Sequence, residues 1–287
     1  MLSAGLGNFP ACGISRIGEL DSLLLNNRAP PVFMVTATDS LITQYYPSDR
    51  HPYRILESEA MRFRGPGRVL LDAGCGEGAP LLLNLAPYFG RAIGVDVCTS
   101  RAPGIEYIQA DLGHTGMESE SIDLVVSRSV VEHLLQPKEV FRELHRVLKP
   151  QGRFIFLTPN RWDYASLAAL AIPNRLHPML VRRLTDRKES DTFPTFYRAN
   201  TSRAIRRLAR QSGFEVESLK YLNQYPDYFR KIPPLFWVGL AYERLTSSLE
   251  SFRFLRGWIL CTMIRGDLPD EKFFQKYPKG RNPKSVR

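Results

Sequence analysis

The chain is 287 residues long, 44% apolar, and carries 39 Lys/Arg against 29 Asp/Glu for a formal net charge of +10. That length builds one large domain or two small ones, and the apolar content is that of a globular protein. No run of about 18 or more apolar residues predicts a membrane-spanning helix, Met1–Pro10 has neither the basic start nor the apolar core of a secretory signal, and Cys12, Cys75, Cys98 and Cys261, without C-x-x-C spacing, read as reduced thiols of a cytoplasmic protein and not as zinc ligands.

In chain order, residues 1–44 form an arm of weak periodicity broken by Pro10, Pro30 and Pro31, with a short helix at Glu19–Leu25 as its one predicted element. Residues 48–63 predict a helix with Ser48 or Asp49 as N-cap, ended by Gly65-Pro66-Gly67. Three strands then follow, each with an acid at its end: Val69–Leu71 with Asp72, Arg91–Val95 with Asp96, and Ile105–Ala110 with Asp111. Ile122–Ser127 reads as a fourth strand and Phe154–Leu157 as a buried fifth. Between them Pro137–Lys149 is the clearest helix, with Val140, Phe141, Leu144, Val147 and Leu148 on one stripe and Gly152 as its stop. Strands alternating with helices predict a parallel sheet with crossover helices.

Beyond Asn160 the pattern changes. Trp162–Leu184 is mostly helical but interrupted near Pro173 and Pro178, and Asp191–Asn200 is a loop. Thr201 caps a helix to Ser212, stopped by Gly213, and Phe214–Tyr221 and Gly257–Ile264 predict a last antiparallel pair. Between these strands lies an insertion rich in aromatics, including Phe229, Phe236, Trp237 and Tyr242. The predicted organisation is a domain over 45–265 with cap insertions near 161–200 and 224–256, followed by a basic flexible tail over 266–287.

The most informative stretch is Asp72-Ala73-Gly74-Cys75-Gly76-Glu77-Gly78. Glycines at alternate positions let backbone approach a ligand where a side chain would clash. Gly74, Gly76 and Ala79 also satisfy the dinucleotide fingerprint G-x-G-x-x-G/A, so a nicotinamide dehydrogenase is one reading. The acids favour another. Asp72 would repel a pyrophosphate, Asp96 suits ribose hydroxyls, and Asp111 suits an exocyclic amine, a set fitted to a neutral or positive nucleoside.

These segments, in this order and at these spacings, resemble the class I S-adenosylmethionine-dependent methyltransferases, well over residues 45–160 and loosely to about 265. The resemblance implies a Rossmann-like, seven-stranded, mostly parallel α/β sheet with helices on both faces, here with a helical and aromatic cap. It implies S-adenosyl-L-methionine as cofactor, with Asp72, Gly74 and Gly76 at its methionine part, Asp96 at the ribose, Asp111 and Leu112 at the adenine, and the Arg128 backbone lining it. Val130-Val131-Glu132-His133-Leu134 follows the fourth strand as in many small-molecule members. In quinone-biosynthesis O-methyltransferases, which this stretch resembles, Glu-Val-Val-Glu-His is proposed to hold a divalent metal. Ser129 stands at the first of those glutamates here, so no metal is expected, and His51, His114, His145 and His177 show no ligand spacing.

His133, just past the fourth strand, is the candidate general base, against the alternative of a helix-start histidine bonded to backbone. Asn160 at the end of the fifth strand, and Tyr197 and Arg198 in a loop able to fold over the site, are candidate substrate contacts, against simple loop anchoring. From Arg68 to Asn160 nine Lys/Arg face eleven Asp/Glu, a balance of −2, whereas Arg175–Arg210 carries ten against three, a balance of +7, and Lys272–Arg287 carries six with no acid. The basic half and the aromatic insertion read either as a solvated, packed cap or as attraction to an anionic or amphipathic small molecule or to the inner face of a membrane. Ser127-Arg128-Ser129 stands where nucleic-acid amino methyltransferases carry Asn-Pro-Pro-Tyr, so no nucleic-acid partner is expected. The remaining alternative is a non-catalytic, membrane-associated binding subunit.

Overall fold

Apolar residues at consecutive positions of the strands place side chains on both faces of one sheet, because successive residues of a strand point to opposite sides. A computed structural model describes residues 46, 48–99, 102, 104–164, 166–167, 194–223 and 233–267. The strands are β1 (Gly65–Ala73), β2 (Phe89–Asp96), β3 (Glu106–Gln109), β4 (Ile122–Arg128), β5 (Leu148–Pro159), β6 (Phe214–Leu222) and β7 (Trp258–Arg265). Their order is β3-β2-β1-β4-β5-β7-β6. The first five are parallel, and β7 runs antiparallel between β5 and β6. Both sides of β1 are occupied, by β2 and by β4, so the order reverses there and opens a crevice at the carboxyl ends of the strands.

The helices are α1 (Pro52–Met61), α2 (Pro80–Leu85), α3 (Pro137–Val147), α4 (Ser202–Gln211) and α5 (Pro233–Ser248). One face of the sheet packs Leu71, Val125, Phe154 and Phe156 against Phe141 and Leu144 of α3 and Ile205 and Leu208 of α4. The other packs Leu70, Leu124, Val126, Ile155 and Leu157 against Leu56 and Ala60 of α1 and Leu81, Leu82 and Leu85 of α2. Phe141 meets Phe154, Phe156 and Phe214 edge-on with centroids 5.3, 5.8 and 6.3 Å away. Such pairs add about 0.5–1.5 kcal/mol each beyond burial. The stripe predicted for α3 is this contact.

Three boundaries differ from the sequence reading. Ser48 and Asp49 lie in a 3-10 turn, and His51 is the N-cap of α1, its Nδ1 accepting from the Tyr53 amide at 3.2 Å. Gly65-Pro66-Gly67 does not end a helix but opens β1. Gly152 does not stop α3, which ends at Val147. It lies inside β5, where a Cβ would come 2.8 Å from the Lys149 carbonyl. Thr201 caps α4 as expected, accepting from the Ala204 amide at 3.2 Å.

The N-terminal arm with its predicted helix, most of the 161–200 insertion, residues 224–232 with Phe229, and the tail from 268 onward lie outside the described residues. In the described part of the cap, α5 buries Phe236, Leu240, Glu243 and Thr246 and leaves Leu235, Trp237, Val238 and Leu245 exposed. No helix among the described residues is long and apolar enough to cross a membrane. Cys75 and Cys261 are buried free thiols, while Cys98, read as a thiol from the sequence, is disulfide-bonded.

Candidate functional site

The carboxyl ends of β1, β2 and β4 converge on the glycine loop. After Ala73 the chain turns with Gly74 at φ +84° and Gly76 at φ +70°, a region that favours glycine. The two serve different ends. A Cβ on Gly74 would lie 2.3 Å from Val130 Cγ2, so this glycine is demanded by packing against the segment after β4. A Cβ on Gly76 would meet nothing within 4 Å, which leaves open space over the loop backbone.

Asp96, ending β2, fastens the loop. Its Oδ2 accepts from the Gly76 amide at 2.8 Å and its Oδ1 from the Cys98 amide at 2.9 Å. Asp111 is exposed, with Oδ1 accepting from the Gly113 amide at 2.7 Å. Leu112 beside it is buried in the cluster under α3.

Asp72 is 1% exposed, and neither carboxylate oxygen has a hydrogen-bond partner. Burial pushes its pKa up to about 7. The Arg128 charge pulls it down, the Asp96 charge adds to the rise, and the Leu82 amide lies in a favourable direction without reaching hydrogen-bond geometry. Arg128, ending β4, has its guanidinium 4.5 Å from the ring centre of Tyr53 on α1, and its Nη1 is buried without a partner. Tyr53 in turn meets His51 and Trp258 edge-on, at 4.8 and 5.9 Å. Burial, then the Arg128 and Arg54 charges, lower the His51 pKa to about 4. Buried polar atoms without partners next to an uncovered glycine backbone form a site built for a ligand bearing complementary groups.

Past β4, a 3-10 turn (Val131–His133) carries the candidate base. His133 Nδ1 lies 3.0 Å from the Pro194 carbonyl, which can only accept, so Nδ1 carries the hydrogen. Its Nε2 is 3.9 Å from Glu132 Oε1. Glu132 is buried, and its Oε2 accepts from Thr158 Oγ1 at 3.0 Å; Thr158 Oγ1 accepts from Asn200 Nδ2 at 2.7 Å. The Glu132 backbone carbonyl accepts from the Phe196 and Tyr197 amides at 2.8 and 3.2 Å. The segment from Pro194 thus rests on this turn, with Tyr197 buried at φ +49° and Arg198 Nη1 donating to the Leu135 carbonyl at 2.6 Å.

Of the residues singled out in the sequence, the structure brings Asp72, Gly74, Gly76, Asp96 and Arg128 near one another at the carboxyl ends of β1, β2 and β4. It ranks Asn160 differently: the residue is 1% exposed, its Nδ2 donates to the Phe254 and Arg256 carbonyls and its Oδ1 accepts from the Trp162 amide, so the side chain clamps the cap. Arg128, expected to act through its backbone, has its backbone in the β4–β5 ladder and its guanidinium in the crevice. Tyr53, Thr158 and Asn200 were missed. Tyr53 lies outside every motif, and a hydroxyl at the end of a buried strand was the one signal Thr158 offered. No group of three or more His, Cys, Asp or Glu able to hold a metal occurs among the described residues.

The family model described as a methyltransferase domain matches residues 48–219. A Mycolicibacterium smegmatis protein assigned to S-adenosylmethionine-dependent methyl transfer is 30% identical over 168 residues, covering 55% of this chain and 56% of that one. The ubiquinone biosynthesis O-methyltransferase of Pseudomonas entomophila is 29% identical over 174 residues, 56% of this chain and 70% of that one. The match therefore spans little more than half of the Mycolicibacterium relative. The crystal structure of geranyl diphosphate C-methyltransferase from Streptomyces coelicolor A3(2) superposes with a TM-score of 0.53 at 15% identity, covering 88% of this chain and 94% of that one, a likeness of fold. The chain belongs to the methyltransferase-domain family. The nicotinamide reading of the glycine fingerprint falls with that assignment.

Proposed function

We propose that the whole protein transfers a methyl group from S-adenosyl-L-methionine to a small-molecule acceptor of anionic or amphipathic character. The observation that carries this is the Asp96 carboxylate clasping the Gly76 amide while the space over Gly76 stays open. In this reading Gly74 and Gly76 present backbone to the methionine part, Asp96 accepts from the ribose hydroxyls with its remaining lone pairs, and Asp111 and Leu112 border the adenine. When bound, the cofactor supplies an electrophilic methyl carbon on a sulfonium. The protein's work is to align an acceptor atom with that carbon in a site closed to water, and such positioning contributes on the order of 7–11 kcal/mol in well-oriented model reactions.

His133 is the base of this proposal. With Nδ1–H donating to the Pro194 carbonyl, Nε2 is the basic nitrogen of this tautomer and would take the proton of a hydroxyl acceptor. Tyr197 and Arg198 belong to the segment that covers the turn and would border the acceptor. Asn160 supports them by fixing the cap. The exposed Leu235, Trp237, Val238 and Leu245 on α5 support an amphipathic acceptor and peripheral contact with a membrane's inner face.

The test is incubation of the protein with isotopically labelled methyl donor and an extract of small metabolites, followed by mass spectrometry. A metabolite gaining one labelled methyl is the expected result. Vesicle binding without any methylated product would replace this reading with a non-catalytic membrane-bound subunit.

A further inference from the structure

The cap helix α5 is turned against the usual pattern of a surface helix, which faces its apolar stripe inward. Its inner positions are Phe236, Leu240, Glu243 and Thr246, so the half nearer its carboxyl end buries polar side chains. Its outer stripe runs Val238, Ala241 and Leu245, then through Leu249 to Phe252 in a 3-10 helix (Glu250–Leu255), at steps of three or four residues. The junction keeps its turn, with the Leu249 amide donating to the Leu245 carbonyl at 3.3 Å and the Phe252 amide to the Leu249 carbonyl at 3.0 Å. All five side chains are exposed, Val238 the most at 64%, and Trp237 is exposed beside them. Polar bonds fix which side faces out. Tyr242 Oη donates to the Leu255 carbonyl at 2.7 Å, Arg256 Nε donates to the Thr246 carbonyl at 3.1 Å, and Asn160, just past β5, holds the Phe254 and Arg256 carbonyls.

A continuous apolar patch on a protein surface marks contact with another apolar body, and charge identifies which. Between Pro233 and Arg256 the acids are Glu243, which is buried, and Glu250, which Arg253 and Arg256 hold at 3.2 and 2.9 Å. Arg244 is exposed next to Leu245, Arg230 and Lys231 precede α5 in the sequence, and the whole chain carries a net charge of +10. A second copy of this chain would bring arginines to arginines with no exposed, unneutralised acid to meet them. An anionic lipid surface offers what this face lacks, negative headgroups over an apolar layer. We propose that α5 and the 3-10 helix after it dock the protein on an anionic bilayer, with the stripe from Val238 to Phe252 at the acyl boundary and Trp237 and Arg244 among the headgroups. The inference rests on the membrane contact and amphipathic acceptor proposed above, and names the element and the lipid class. Because Asn160 ties this face to the end of β5, docking also brings the carboxyl ends of the strands toward the lipid that would carry such an acceptor.

The experiment is sedimentation of the full chain with vesicles of equal parts phosphatidylcholine and phosphatidylglycerol, and with vesicles of phosphatidylcholine alone. Wild type should bind the anionic vesicles at least about 10-fold more tightly, and added salt should weaken that binding. Val238→Ser with Leu245→Ser, both at exposed positions, should weaken it about 10- to 30-fold, as the loss of two apolar side chains from the lipid implies. Thermal unfolding should be unchanged and the affinity for S-adenosylhomocysteine should stay within about twofold of wild type. Wild-type tryptophan fluorescence should shift to the blue on the anionic vesicles, and Trp237→Phe should remove most of that shift. A double variant that binds anionic vesicles as wild type does overturns docking through α5 and leaves membrane contact standing. Equal binding to both kinds of vesicle overturns it too, as does a wild-type dimer in solution that the double variant dissociates, since a second copy is then the occupant. Wild type binding neither kind of vesicle removes the membrane contact altogether, whereas wild type that fails to bind S-adenosylhomocysteine removes the cofactor reading alone. Should the double variant not fold, the fluorescence decides, because a blue shift that Trp237→Phe leaves intact, or no shift at all, overturns the proposal.

Discussion

The Gly76 amide donates to the Asp96 carboxylate at 2.8 Å, so the acid that ends β2 fixes the shape of the loop that follows β1. One carboxylate thereby holds two loops, since it also accepts from the Cys98 amide. Asp96→Ala removes both acceptors. Hydrogen bonds to charged groups are worth about 1.5–3 kcal/mol, and the freed amides return partly to water. A stability loss of roughly 2 kcal/mol in urea unfolding is expected. If Asp96 accepts from the ribose hydroxyls as proposed, the affinity for S-adenosylhomocysteine should fall at least about tenfold by titration, beyond what the stability loss explains. Unchanged affinity would remove Asp96 from the cofactor site.

The two loop glycines should respond to the same substitution in different ways. Gly74→Ala drives a methyl into Val130 at a backbone angle alanine resists. Overpacking costs typically about 1–3 kcal/mol, and the strained angle adds about 1 kcal/mol. Gly74→Ala with Val130→Ala should recover part of the loss. Gly76→Ala meets no neighbour, so its stability cost is the backbone strain of about 1 kcal/mol alone, while its methyl enters the open space over the loop. Thermal unfolding should therefore rank Gly74→Ala below Gly76→Ala, and titration with S-adenosylhomocysteine should show a clear loss for Gly76→Ala. A Gly76→Ala protein that binds normally would show that the ligand does not approach there.

How much of this was legible in the sequence follows from how far each feature reaches along the chain. The strands were legible because both faces of the sheet are buried, which forces apolar residues at adjacent positions such as Leu70 and Leu71 or Val125 and Val126. The loop and its acids were legible because Gly74, Gly76 and Asp96 occupy strand ends at regular spacing. What was not legible depends on contacts between distant segments. The stacking of Arg128 on Tyr53 joins β4 to a helix that precedes β1, and the Asn200–Thr158–Glu132 chain of hydrogen bonds joins three elements. Asn160 at a strand end reads as a ligand contact until the carbonyls of Phe254 and Arg256 are seen around it, more than ninety positions away. The start of α1 was misplaced because Ser48 and Asp49 are better caps by type than His51. Only the 3-10 turn at Ser48–Arg50 shows why they do not serve.

Asp72 gives a pH signature. Its folded pKa, about 7, lies above the ordinary carboxylate value, so the folded state holds a proton that the unfolded chain releases. Stability should be highest at and below about pH 4 as far as this group is concerned, and fall as pH rises toward 7. The full excursion is on the order of 4 kcal/mol as an upper bound. Asp72→Asn should remove this slope, making the unliganded variant more stable than wild type at pH 8 and similar at pH 4, while its affinity for S-adenosylhomocysteine drops. Parallel stability curves for the two proteins across pH 4–8 would show that Asp72 is not held protonated by its surroundings.

Substitution of His133 tests what kind of acceptor the proposed site serves. Its Nδ1–H is committed to the Pro194 carbonyl, and its ring stands beside a buried Glu132 oriented by Thr158. If the acceptor is a hydroxyl, proton removal accompanies methyl transfer and a positioned base contributes roughly 10²–10⁴-fold. His133→Gln keeps a carbonyl-facing donor but cannot take a proton, so kcat should fall by about that factor with little change in cofactor affinity. Thr158→Val leaves the histidine in place but takes away the donor that orients Glu132, so it should alter the pH profile of kcat with a smaller loss of rate. A kcat drop below about fivefold for His133→Gln would mean that the acceptor atom arrives with its lone pair already free, as an amine does, and that His133 serves to anchor the segment from Pro194 over the turn.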